Sequence, residues 1–590
     1  MGDDFLDYYE KELSFIREMG SEFARKYPGI AGRLLLEPDR CEDPHVERLI
    51  EAFALICARM HKKLDDDFPE ITQSLLNVLY PHCTNPIPSL SVVRFSPLMK
   101  NVPDTGYLVP KGTTLFSRAL DGVRCRFATA YPVTLWPMEV AHAALADQVI
   151  TIRLKLHNKV TFARFSSDSI RFYLNGQRQH TFQLYEQLLN NVSRIECVAV
   201  GKKIPPVALT KNSIRPVGFD EQEMLLPFPR QSFKGYRLLL EYFAFPEKYL
   251  FLELSGLSSA PLGDFGDTLD LAIHLDHPTG PSFPVSADTF CLHATPAVNL
   301  FSKIAEPIRI ENRRAEYRVV PELRSPEAME IFSIDQVSGM SDAPAPVTRV
   351  YRPLYEITRP DGGSIGDVEG VWWLMQRKAS GTAGDRGTEV FLSFCDLASD
   401  PADPPDETVT LRLTCSNRDL PGALPWGDPA GDFDIEAAAP VEATNAVVRP
   451  TAVRRPALSG ASQWRLISHL SLNHLSLLEA DGAALKDMLR LYDFEDSPAT
   501  RQQTNGIVSV SFRHVTRRIG ALICRGVEVT IEFDERQFVG SGVYLFASVL
   551  ERFLGEYVSL NSFVQLVAKS SQRKEVMKKW PPRNGDRVLL

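Results

Sequence analysis

The chain has 590 residues, 44% hydrophobic and 24% charged, with a formal net charge of −9. This is ordinary globular composition with room for several cores, roughly three to five domains at 100–200 residues each. The mildly acidic balance argues against a nucleic-acid track, and the longest uncharged stretch, Ile71 to Val93, is too polar and proline-broken for a membrane span.

Nine cysteines are dispersed with no CxxC spacing, and the acidic N-terminus lacks a basic-then-apolar leader. Reduced core thiols in a cytoplasmic protein are the expectation.

The first ninety residues read as helices. Leu6, Tyr9, Leu13, Ile16 and Phe23 recur at helical spacing. Asp43 offers an N-cap with Pro44 at the first helical position. Val46, Leu49, Phe53, Ile56 and Met60 then follow at steps of three and four, an apolar seam about two heptads long. Such a seam serves either the helix's own core or the helices of another subunit. A third helix, Ile71 to Tyr80, stops at Pro81.

Beyond residue 90 the period becomes two. Ile150, Ile152, Leu154 and Leu156 alternate with polar residues, and Ile170, Phe172 and Leu174 do so before the turn pair Asn175-Gly176. A short helix is expected over Gln183 to Asn190. The run Gly235 to Phe251 packs six aromatics among aliphatics and reads as a buried strand or short helix, a break at Pro246, then a strand. Loop composition fills Ser341 to Pro346, Gly362-Gly363, Gly381 to Gly387, Asp400 to Asp406 and Pro421 to Pro440, with strands such as Val390 to Cys395 between them. Near the end, Leu485, Met488, Leu489 and Tyr492 are helical in period. Val508, Val510 and Phe512 alternate, as do Val527 to Phe533, and Leu545 to Tyr557 is helical again. The basic tail from Lys569 is expected to be loose. The fold class is therefore multidomain α+β: a helical region at 1–90, β-rich, sandwich-like regions at 91–300 and 301–460, and an α+β domain at 461–590.

Chemical motifs are scarce. HExxH and GxxxxGK[ST] are absent. Gly540-Ser541-Gly542 is a turn before the helix at Val543, because no motif marks a base or an oxyanion hole. Asp65-Asp66-Asp67 points three carboxylates in different directions and does not make a calcium loop. His469 and His474 miss the i, i+4 spacing that places two imidazoles on one helix face. No catalytic, cofactor or metal residues are assigned. The expectation is an interaction protein and not an enzyme.

Several segments, in order, carry a resemblance. They are Asp43 to Leu49 with Ala52-Phe53; Phe68-Pro69 with Leu75-Leu76 and Tyr80-Pro81; and Cys125 to Ala130 leading to Leu135-Trp136-Pro137. Leu174-Asn175-Gly176 and Tyr242 to Phe251 follow. Then come Pro296 to Phe301 with Ala305 to Ile308 and Glu316-Tyr317, Cys415 to Pro421, and Trp464 to Asn473. Together they resemble the TssF family, a baseplate subunit of the bacterial type VI secretion system, similar to wedge proteins of contractile phage tails. Between 340 and 460 only Cys415 to Pro421 matches.

The resemblance implies a structural wedge subunit without cofactor. It implies assembly with a TssG-like subunit, two copies around one, through a helical bundle, with TssE and TssK in the wedge and sheath and spike components at the assembled baseplate. It places that work at the cytoplasmic face of the inner membrane. Within it, the helical region 1–90 is the expected docking region, with the seam Leu49, Phe53, Ile56 and Met60 at the partner interface. A phage-tail baseplate component is the near alternative. A carbohydrate-active β protein is the distant one, motivated by Trp372-Trp373, but no carboxylate pair for hydrolysis is identifiable.

Overall fold

A computed structural model describes residues 3–27, 29, 44–65, 69–165, 167–229, 232–276, 283–311, 314–341, 348–354, 371–382, 384–396, 407–458, 463–464, 466–468, 482–495, 497–519, 522–558 and 562–585. Asp43, Phe68, Asp66, Asp67, His469, His474 and the breaker segments 342–346, 362–363 and 400–406 lie outside them. The chain is α+β and divides into two compact units, Met1–Leu76 with Ala457–Leu470, and Asn77–Pro456 with Ser471–Leu590.

The first unit is helical. Helix α1 runs Asp3–Lys26 and α2 runs Pro44–Asp65, packed along one another as a hairpin. Helix α3, Pro69–Leu79, follows and ends at Pro81, which opens a 3₁₀ turn. Thr72 on α3 donates to the Gln463 side chain at 2.7 Å, and both residues are buried, which fastens the 463–468 segment to the helices.

The second unit is built on sheets. Six strands close a barrel in the order Leu90–Pro97, Ala294–Val298, Val123–Thr129, Thr114–Leu120, Phe433–Ile435 and Val441–Val448. The last strand pairs back onto the first, so the barrel has no free edge. Val93, Phe95, Leu115, Phe127 and Phe433 fill it, Phe127 and Phe433 edge to face at 5.2 Å. Five strands between Met138 and Leu275 form one open sheet, and strands between Phe301 and Ser416 form a larger one. The barrel draws strands from both sides of residue 300. It therefore crosses the 91–300 and 301–460 boundaries, because period-two patterning marks a strand but not its partner. Asn175-Gly176 leads into helix α4, Arg178–Asn190, and does not close a hairpin.

The aromatic run folds as helix α5, Lys234–Ala244, a 3₁₀ turn from Pro246 to Tyr249, and a strand Phe251–Ser255. Its helix is buried on every side, packed against α8, Val543–Gly555, of the C-terminal region. Between α5 and α8 in sequence lie α6, Ala483–Leu491, and α7, Pro498–Asn505. The basic tail is not loose through residue 584. Ser562–Ser570, Val576–Lys579 and Arg583–Asn584 are strands of the C-terminal sheet, and Met577 and Trp580 are buried.

Three of the resembling segments meet in space. Asn299 donates to the Arg126 carbonyl at 2.7 Å and to the Asn417 side-chain oxygen at 2.9 Å. The Asn417 amide donates to the Asn299 side-chain oxygen at 2.7 Å, and the Arg126 amide donates to the Asn417 side-chain oxygen at 2.8 Å. This buried asparagine pair fastens the barrel to the larger sheet, with both side-chain oxygens and the Asn299 side-chain amide nitrogen hydrogen-bonded as burial requires.

Candidate interface on the N-terminal helical hairpin

Helix α2 has two unlike faces. Ala54 and Ala58, one turn apart, are fully buried, and side chains this small let a neighbouring helix come close. At about 100° per residue they lie opposite the seam. Leu49, Phe53, Ile56 and Met60 are 72%, 58%, 56% and 59% exposed. Leu55, about 100° around the helix from the nearest seam residue, is exposed as well. The hairpin is thus held by the alanine face, with Arg17 of α1 ion-paired to Glu47 of α2, and the seam is left facing away. A large side chain exposed this far is common singly, but four in a continuous stripe are the pattern of an interaction surface.

The helical spacing read in the sequence thus falls on the side of α2 turned away from α1. The seam side chains share one face and stay more than half exposed. Burying what remains exposed of each against a partner would contribute roughly 1–2 kcal/mol per side chain, before the cost of association.

Helix α1 and the residue just after it, Tyr27, carry a second stripe that the sequence reading missed. Phe15, Met19, Phe23 and Tyr27 are four apart and all exposed, with Phe23 and Tyr27 in ring contact at 5.3 Å. Leu13 and Ile16 are half-buried, and Phe23, assigned to the same face from its spacing, is not. The signal was the four-residue spacing itself, hidden because the inner and outer stripes of α1 are both apolar.

Elsewhere the buried polar groups are structural. Lys248 and Glu241 form a fully buried ion pair within the aromatic run. Glu241 accepts from the Leu225 and Leu226 amides at 2.8 and 3.3 Å, and Lys248 donates to the Glu223 carbonyl at 3.2 Å. Burial pulls the Lys248 ammonium down to about 8, with Glu241 opposing. A lysine tuned in this way is a candidate base only beside a substrate cavity, and this one is enclosed by Tyr249, Glu241 and main chain. The hollow around Ser541 is lined by Glu186, Glu535 and Arg573, and Arg573 bridges the two carboxylates at 2.7 and 2.6 Å. Gly540 to Gly542 is the turn before α8. Trp372 and Trp373 sit half-buried on the strand Val371–Ala379. Among the described residues no three His, Cys, Asp or Glu side chains are grouped to hold a metal ion, and no helix is long and apolar enough to cross a membrane.

Comparison with known proteins decides the family. The family model "Type VI secretion system, TssF" matches residues 1–587. The chain belongs to the TssF family. It is 36% identical to the type VI secretion system component TssF1 of Pseudomonas aeruginosa (strain PAO1), over the full length of both. A chain in the cryo-electron microscopy structure of the type VI secretion TssK-TssF-TssG baseplate subcomplex superposes with a TM-score of 0.73 at 26% identity, covering 92% of this chain and 99% of that one. A chain of the baseplate complex from the type VI secretion system superposes at 0.64 and 25% identity, covering 99% and 100%. This TssF-family chain is a structural wedge subunit of the secretion baseplate. Its family and structural neighbours are baseplate components, which agrees with the scarcity of chemical motifs.

Proposed function

We propose that this subunit works by assembly and not by catalysis, and that the α2 seam docks a TssG-like partner. The observation that carries the reading is the apolar stripe Leu49, Phe53, Ile56 and Met60, turned away from the alanine face that holds the hairpin together. Region 1–90 is then the docking region. The second stripe, Phe15 to Tyr27 along α1 and just past its end, gives the same hairpin another apolar side. A hairpin with two apolar sides suits a bundle in which two copies of this chain share one TssG-like helix set. TssK and TssE complete the wedge, sheath and spike components meet it in the assembled baseplate, and the work is done at the cytoplasmic face of the inner membrane. Support comes from the subcomplex that a structural neighbour is named for, which contains TssK and TssG beside TssF.

The test is co-purification of the full chain with its TssG-like partner. Phe53→Asp places a charge in the centre of the stripe, where burial without a partner charge is strongly unfavourable. The variant is expected to lose the complex while keeping its circular dichroism spectrum. Normal assembly by Phe53→Asp would remove the seam from the interface.

A further inference from the structure

Among the described residues, the C-terminal sheet has an edge with no covering strand. Its order is Ile507–Ile519, Leu522–Phe533, Ser562–Ser570, Val576–Lys579, with Arg583–Asn584 also on the third strand. Among the described residues, strand Ile507–Ile519 pairs on one side only, in continuous register from Ser509↔Glu532 to Ile519↔Leu522. Its neighbour meets the third strand only from Arg525 onward, so the distal end of the hairpin is a two-stranded ribbon. The proximal part is anchored by Val529, Ile531 and Phe533, all fully buried, so this edge is rigidly held. It carries no proline, the usual device against strand addition.

Its charge runs against that of the chain. From Arg513 to Val527 the sequence holds four arginines and no carboxylate, in a chain of net charge −9. Arg513 and Arg517 share one face of the sheet by register, opposite Glu528 and Cys524. Glu528 alone answers three cations: Arg513 at 2.6 Å, Lys579 at 2.8 Å and Arg517 at 3.7 Å. The Glu528 side chain is 6% exposed and Arg513 is 70% exposed, so the carboxylate is enclosed and the cations face water. Three cations thus share one carboxylate, and two of them, Arg513 and Arg517, stand on the edge strand itself.

We propose that this edge takes up an extended, carboxylate-bearing segment of a partner polypeptide as an added strand. The unpaired amides and carbonyls along the edge supply a ladder, and the surplus arginine charge selects acidic side chains. A nucleic acid would satisfy the charge and leave the ladder groups unpaired, so a polypeptide is the better complement. The inference does not depend on the helical seam.

The experiment uses the full chain and a fluorescent decapeptide of alternating Glu and Val, read by anisotropy. Controls are the same peptide N-methylated at every second amide, a Lys-Val peptide, and a single-stranded oligothymidine. The acidic peptide is expected to bind, and both peptide controls to bind at least about tenfold more weakly, since one loses the ladder and the other the charge match. The double variant R513Q/R517Q should weaken binding about threefold to tenfold, as for two exposed charge pairs. R517Q alone keeps Arg513 and Lys579 on Glu528, so its smaller loss of affinity separates recognition from misfolding. Indifference to N-methylation, preference for the oligonucleotide, or no binding of the acidic peptide would each overturn the proposal.

Discussion

Both ring nitrogens of His82 are buried without a hydrogen-bond partner, and the ring lies 4.6 Å from that of Phe228 and 5.8 Å from that of Tyr80. Burial lowers its pKa to about 3, against an ordinary value near 6.5. The unfolded chain therefore binds the proton first. Stability from the neutral ring is complete above pH 6.5 and is lost as pH falls toward 3. His293 behaves alike, lowered to about 3 by burial and then by Arg94, with its Nε2 accepting from the Trp136 amide at 3.1 Å. His82→Leu should flatten the loss of stability between pH 6.5 and 5 by up to about 1.4 kcal/mol per pH unit, measured by denaturant unfolding across that range. An unchanged slope would mean the ring is hydrated in solution. The Lys248–Glu241 pair gives a second residue-level expectation. Lys248→Met leaves a buried carboxylate without its cation and should cost about 3–5 kcal/mol. The double variant with Glu241→Gln should recover part of that, read as a non-additive shift in the unfolding midpoint.

At the scale of elements, the two faces of α2 make opposite predictions. Ala58→Leu forces a larger side chain into the contact that holds the hairpin and should cost about 1–3 kcal/mol, seen as lost helicity on heating. Phe53→Asp alters only the exposed stripe and should leave that melt within about 0.5 kcal/mol. Equal effects from both would mean that the seam is packed inside the chain. The element type was largely legible in the sequence. Leu49, Phe53, Ile56 and Met60 lie on a helix at the predicted spacing, and Ile150 to Leu156 and Val527 to Phe533 lie on strands. Which face of α2 turned inward was not legible, because two alanines outweigh four large apolar residues only when another helix must come close. The Lys569 tail was misjudged for a similar reason. Its charge suggested a solvated end, yet Trp580 stacks on Tyr544 at 5.7 Å and its amide donates to the Leu566 carbonyl at 3.0 Å.

Over the whole molecule, long-range pairing is what the sequence concealed. The barrel joins Leu90–Pro97 to Val441–Val448, and the asparagine pair ties residues 126, 299 and 417, which no local pattern connects. Asn417→Ala removes the acceptor of the Arg126 amide and one acceptor of Asn299. It should therefore cost about 1–3 kcal/mol for each donor left buried, seen as a lower unfolding midpoint of the sheet-built unit. Assembly into the baseplate is the function that this scaffold serves, and the helical hairpin is its proposed docking surface. The most direct test of that account is native mass spectrometry of the full chain co-expressed with its TssG-like partner, for wild type and Phe53→Asp. The account predicts a complex of two copies of this chain with one partner for wild type, and a folded, uncomplexed chain for the variant. An uncomplexed wild-type chain, or a complex unaffected by the substitution, would contradict it.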